Sequence, residues 1–322
     1  MADNSDVFFA EEFASIFDKY IPTTDDGLIG RNRLWGGLYS PRFQMGIGRT
    51  VQLGYFSGLF TQRLHHLFFG LRVSVGSIGD DGEVISSLPS QYGELPEIDA
   101  ISGAAFFLGD ACMAQYYFNK LRFHNSAKQQ LSSLKISRKL AKATSWLAEN
   151  AEVLMEYDSE SPNRSLFSAR SFLVCGELFD DEHMQDIGYV FFEHAMRLFA
   201  DGFFVEEGGW DTSYQAVSIV LIREIMNVVP LGAEVDEILF SASQWLAGRV
   251  DDMGRIDSSG NTRTCTGEEI FLGVEKKVSV EEVFLALALA VETQHDFYYQ
   301  KAQLISDWVR VNPNSDPCFF SQ

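Results

Sequence analysis

The chain has 322 residues, 46% of them hydrophobic and 22% charged, enough for one large domain or two of ordinary size. Its formal net charge of −20 repels phosphate backbones and anionic lipid surfaces over a Debye length of about 8–10 Å, which argues against nucleic-acid and membrane partners. No run approaches the ~20 apolar residues of a membrane span, and the opening M-A-D-N-S-D-V-F-F-A-E-E-F lacks the basic and apolar regions of a secretory signal. The expected location is therefore cytoplasmic, or secreted or periplasmic if a leader has been removed. Cys112, Cys175, Cys265 and Cys318 show no C-x-x-C spacing, and the apolar contexts of Cys112 and Cys175 predict buried thiols.

In chain order, helical periodicity dominates. Residues 7–20 place Phe9, Phe13, Ile16 and Tyr20 on one stripe. Further helices are expected near 48–70, 101–121, 126–156, 163–179, 183–200, 213–229, 234–249, 279–293 and 295–310. Leu71, Val73 and Val75 alternate with Arg72, Ser74 and Gly76, predicting a short β-hairpin around Asp81-Gly82. Ser161-Pro162 reads as an N-cap followed by proline at the first helical position. Thr212 with Gln215, and Ser279 with Glu282, fit the capping box. Twenty-seven phenylalanines suit extensive helix packing or aromatic clefts, and no linker or low-complexity run interrupts the chain. The expected organisation is a single domain over residues 1–322.

A glycine turn followed by an apolar pair or a near match recurs at Asp26-Gly27-Leu28-Ile29, Asp81-Gly82-Glu83-Val84, Asp201-Gly202-Phe203-Phe204 and Met253-Gly254-Arg255-Ile256, the alternative being chance recurrence of a common turn. The spacings, about 55, 120 and 52 residues, fit one helical hairpin plus loops per period with one copy unrecognised. Antiparallel helices joined alternately by short and long loops close into a toroid. The predicted fold is thus all-α: an α/α toroid, either incomplete or a six/seven-hairpin barrel, with a short β-hairpin insertion.

Three segments carry candidate chemistry. In D-G-F-F-V-E-E-G-G-W-D-T-S-Y-Q, Glu207, Trp210, Asp211 and Tyr214 gather at the start of a helix, where unpaired N–H groups favour negative charge. A phenol there could donate a proton, or accept one if its pKa were lowered; the alternative is a core-edge tyrosine. In S-P-N-R-S, Asn163 and Arg164 fall in a first helical turn, where the dipole opposes a cation. In G-N-T-R-T, Arg263 stands among small hydroxyl residues and can grip a carboxylate through two parallel N–H···O bonds; the alternative is an ordinary surface loop.

N-R-S-L-F-S-A-R-S-F-L-V-C-G-E-L-F-D-D-E followed by A-D-G-F-F-V-E-E-G-G-W-D-T-S-Y-Q resembles the helical toroid of bacterial polysaccharide lyases of the alginate lyase and heparinase II/III type, over about residues 160–300. The resemblance implies cleavage of a uronate-containing polysaccharide or oligosaccharide by β-elimination. Asn163 would neutralise the uronate carboxylate, Tyr214 would exchange protons at the glycosidic oxygen, and Arg263 would bind a substrate carboxylate. Arg164, Trp210, Glu207 and Asp211 would complete substrate binding. The Asn-Asn-His-Ser-Tyr type motif of alginate lyases is absent, so the base is unassigned; His66 and His124 are the candidates, the alternative being structural histidines. Two other readings stand beside elimination. One is a glycoside hydrolase on the same toroid using Glu207, Asp211 or Glu268; the other is a non-catalytic helical protein binding a sugar chain or a protein. No metal or cofactor is expected: Asp180-Asp181-Glu182 lacks the later acidic residue of a terpene-synthase cluster, and no phosphate-binding or zinc motif occurs.

Overall fold

The computed structural model describes residues 26–57, 64–123, 127–290, 295–312 and 318–319. The fold is all-α, with only two-residue strands among the described residues. The expected helix over 7–20, His124 and residues 291–293 lie outside the described residues. The chain divides into two compact units, Met1–Tyr157 with Phe167–Phe191 and Asp158–Leu166 with Phe192–Gln322.

The first unit is organised on α4 (Glu97–Lys120), which is buried on every side from Ile101 to Gln115. Such a helix is largely apolar all round, with Ser102, Asp110 and Gln115 as buried polar exceptions, and its glycines and alanines let neighbours approach. It packs against α2 (Ile47–Ser57), α3 (Leu64–Ser74) and α5 (Ala127–Glu149). Buried Asp110 of α4 accepts from Gly48 N at 2.9 Å and Arg49 N at 3.3 Å, so a side chain from another helix satisfies the first turn of α2. A short helix not foreseen from periodicity, α1 (Gly30–Trp35), is held by buried Asn32, whose amide donates to Ser40 O and accepts from Tyr39 N and Ser40 N.

The stretch expected as one helix over 126–156 breaks at Asn150 into α5 and α6 (Ala151–Tyr157). The expected strand at 71–75 is instead the end of α3 and a 3-10 turn, Val75–Ser77. Leu71 and Val75 stand four apart and are both buried, so helical spacing satisfies the same residues that alternation had matched. The turn at Asp81-Gly82 is real: Ile78 bridges Val84 in antiparallel fashion, and Gly79 N donates to Glu83 O at 2.9 Å.

Helix α7 starts at Pro162, as expected, and runs to Phe179; α8 spans Glu182–Arg197. Gly188 lets the two meet, since a Cβ there would stand 2.6 Å from Leu173 Cγ. In the second unit α9 (Thr212–Met226) is nearly enclosed and packs against α10 (Ala233–Gly248) and α11 (Val280–Leu289), with α12 (His295–Val311) on α11. Ser279 caps α11 as predicted, accepting from Glu282 N at 3.4 Å, but its own N–H goes to Ser213 Oγ at 3.0 Å.

All four glycines of the recurring turn have positive φ, between 71° and 103°. Each also abuts a later helix: Gly27 on Val73, Gly82 on Lys142, Gly202 on Ser241 and Gly254 on Leu304. The local turn and its packing therefore recur, alike in both units.

Candidate functional site

The site is built at the N-terminus of α9 from two short hairpins and a long loop of the second unit. Strands β1 (Phe199–Ala200) and β2 (Phe203–Phe204) pair through the two-residue turn Asp201-Gly202, with φ 52° and 88°. Four residues later Glu206 bridges Gly209 through Glu207-Gly208, with φ 51° and 84°. Positive φ at both central residues is the geometry that matches strand twist in two-residue hairpins. Glu207 adopts it without being asparagine or glycine, a local strain beside the candidate chemistry. A third such turn, Leu272-Gly273, joins β4 (Ile270–Phe271) to β5 (Val274–Glu275); β3 (Ile256–Asp257) precedes them.

The helix cap is Asp211, not Thr212. One Asp211 oxygen accepts from Ser213 N at 3.0 Å and Tyr214 N at 3.2 Å, which places Tyr214 at the third helical position. The other accepts from Arg263 N at 3.1 Å and Thr264 N at 2.7 Å, and Thr264 Oγ1 donates to the same carboxylate. Asp211 wins over Thr212 because a carboxylate serves both the helix and the distant loop. Thr212 instead donates its N–H and hydroxyl to Asn261 Oδ1, at 3.1 and 2.9 Å. Gln215 makes no capping box. Its buried amide accepts from Phe204 N and donates to Ala242 O, tying β2 to α9 and α10.

Arg263 is not on an exposed loop: only 6% of its surface is exposed. Its Nε and Nη2 grip Glu269 at 2.9 and 2.6 Å, the two-bond fork expected of it, but closed on a carboxylate of the protein itself. Nη1 donates to Glu206 at 2.5 Å, and Nε lies 3.2 Å from half-exposed Glu207. The guanidinium carbon sits 4.5 Å from the centroid of the Tyr214 ring. Lys276 pairs with Glu269 and donates to Tyr214 Oη at 3.1 Å.

Burial sets the charge states. It raises the Glu206 carboxyl to about 7 against the pull of Arg263, with the charges of Asp211 and Glu207 adding to it; among the described residues its second oxygen, also buried, has no hydrogen-bond partner. Burial also pushes the Tyr214 phenol well above its usual range, with Glu269 and Glu206 adding to the effect and Arg263 opposing it. For Glu269 burial acts upward, but the bonds from Arg263 and Lys276 hold it below the usual carboxylate range. Arg263 is raised: burial would lower it, and the bond to Glu269 with the charges of Tyr214 and Glu206 outweighs that.

Trp210 is partly exposed beside this cluster, edge-on to Phe203 at 5.8 Å, with Gly260 beneath its ring. Its indole donates to Ser259 O at 3.3 Å. Asn163 is buried at the second position of α7, and among the described residues its Nδ2 has no hydrogen-bond partner. Arg164, the cation in the wrong end of a dipole, is steadied by buried Asp158 at 3.3 Å. Glu207 N donates to Glu160 O at 3.3 Å, which links the start of this segment to the hairpin. His66 is exposed on α3, in the first unit, whereas the cluster is made by the second unit alone. Glu268 is exposed. Sequence reasoning missed Glu206, Glu269 and Lys276. Among the described residues no group of His, Cys, Asp or Glu side chains is arranged to hold a metal ion; the carboxylates converge on Arg263 instead. No protein-family model, curated protein or solved structure matches this chain.

Proposed function

We propose that the second unit carries a carbohydrate-active site in which Tyr214 protonates a glycosidic oxygen, in an α/α toroid of the polysaccharide-lyase kind acting on a uronate-containing chain by β-elimination. The observation that carries the reading is the state of the Tyr214 hydroxyl. Its oxygen accepts from Lys276, burial keeps its proton on, and among the described residues that proton has no acceptor. A leaving oxygen supplies one. The raised pKa gives Tyr214 the part of acid and leaves the base to another group. The unpartnered Asn163 amide is a donor suited to the uronate carboxylate, and Trp210 offers a sugar-stacking face. The glycine turns that recur against later helices support the toroid.

Hydrolysis is the second reading, favoured by Glu206 at about 7 next to the half-exposed carboxylate of Glu207. Incubation with a panel of uronate polysaccharides distinguishes them. Elimination yields ultraviolet-absorbing unsaturated uronates, and hydrolysis yields reducing ends without that absorbance. Tyr214→Phe is expected to lower turnover by about a hundredfold or more with unfolding unchanged. Unchanged turnover in that variant removes Tyr214 from the reaction, and no product on any substrate overturns the enzymatic reading.

A further inference from the structure

The first unit contains an open surface cavity of about 460 Å³, with Arg72, Gly76, Leu131 and Lys135 exposed at it, where α3 runs into the 3-10 turn Val75–Ser77 and meets α5. That volume falls in the range of small-molecule sites, roughly 300–1,000 Å³. Val75, Leu131 and Ile136 give it apolar walls, and Arg72, Lys135 and Lys139 line it with positive charge. Among the described residues no carboxylate lines it, in a chain with 45 acidic and 25 basic residues. The local charge is thus the reverse of the whole.

The cations are positioned in different ways. Lys139 Nζ donates to Val75 O at 3.2 Å and Ile78 O at 2.7 Å, which offsets the negative end of α3 and leaves a third N–H. The Arg72 guanidinium carbon lies 4.8 Å from the centroid of the Phe69 ring, so the aromatic face orients the planar fork. Among the described residues neither Arg72 nor Lys135 forms an ion pair. Gly76 is the remaining feature: a Cβ built on it meets nothing within 4 Å, and its φ lies outside the positive range. Backbone geometry does not demand glycine there, and a side chain would project into open space.

The geometry points to a binding site for a small anionic amphiphile, with a carboxylate or phosphate head among Arg72, Lys135 and Lys139 and an apolar body against Val75, Leu131 and Ile136. The test titrates the full chain with decanoate, decyl phosphate, decanol and inorganic phosphate by calorimetry, below micelle-forming concentrations. One-to-one binding of decanoate or decyl phosphate is expected, with decanol weaker by about tenfold or more. Lys135→Glu and Gly76→Leu are each expected to weaken binding by about tenfold or more, the first through charge and the second by filling the cavity. Urea unfolding checks both variants, and Lys135→Glu, on an exposed position, stands if Gly76→Leu does not fold. The proposal is overturned if neither amphiphile binds, if decanol binds as tightly, if inorganic phosphate matches decyl phosphate, or if folded Lys135→Glu binds like the parent.

Discussion

Replacing Glu206 by glutamine tests whether the buried ion pair at the heart of the cluster stabilises the fold. Removing one partner of a buried pair ordinarily destabilises by about 3–5 kcal/mol. Here the direction of the Glu206 shift gives the opposite sign. Its carboxyl rises from 4.5 to about 7 in the folded chain, so ionising it is harder in the fold than out of it despite Arg263. Between those values the folded state holds the extra proton, so its stabilising contribution is complete below about 4.5 and is lost as pH rises through about 7. The full difference is about 3 kcal/mol, of which roughly 2.5 is lost between about pH 5 and about pH 8. Glutamine mimics the neutral acid: its oxygen keeps the bond to Arg263, which Glu269 still neutralises. Glu206→Gln should therefore match the parent to within about 1 kcal/mol near pH 5 and exceed it by about 2–3 kcal/mol near pH 8. Urea unfolding of both proteins at the two pH values measures this, and taking the difference between them cancels the titration of all other groups. A variant less stable than the parent at the higher pH would refute the reasoning and restore the pair as a net stabiliser.

Asp211→Ala removes a helix cap and orphans the N–H groups of Arg263 and Thr264, so a loss of about 3 kcal/mol or more is expected on urea unfolding. Asp211→Asn keeps one acceptor oxygen and should lose roughly half as much; equal losses would mean that the two oxygens do not serve separate segments. Gly82→Ala forces a Cβ to 2.5 Å from Lys142 O at φ 103°, and should lower stability by about 1–3 kcal/mol. An unaffected thermal midpoint would show that this turn does not rest on α5.

The helices were legible because their signals are local. Pro162 and Ser279 start α7 and α11 where propensity puts them, and apolar periodicity marks α9 and α10. Ambiguity entered where two periods fit one string, as at Leu71, Val73 and Val75. It entered again where the deciding contact is remote: nothing beside Asp211 in the chain reveals that Arg263 N, 52 residues away, needs its second oxygen. The cluster was half visible. Arg263 and Tyr214 stood out by type, yet their partners Glu206, Glu269 and Lys276 are ordinary surface letters until three hairpins fold them inward. Those hairpins did leave a mark, since Asp201-Gly202, Glu207-Gly208 and Leu272-Gly273 each pair a residue with glycine between short segments.

The charge balance of this cluster bears on the substrate. Arg263 and Lys276 face Glu206, Glu207 and Glu269, while Asp211 is consumed by five donors from the helix and loop. Asp211 keeps its charge, so the cluster has two surplus negative charges with Glu206 ionised and one with Glu206 protonated. An anionic chain binding here should therefore bind more tightly as pH falls through about 7. At roughly 8 Å and an effective dielectric between about 20 and 80, one charge contributes about 0.5–2 kcal/mol, or roughly two- to thirtyfold in affinity. Glu206→Gln should hold the tighter value at every pH. A neutral glycan should show neither effect, so binding of uronate and neutral oligosaccharides measured on both sides of neutrality tests whether a uronate carboxylate lies at this cluster before any product is seen. A uronate ligand that binds equally at both pH values would mean that its carboxylate lies away from Glu206, and would remove the charge of this cluster from substrate selection.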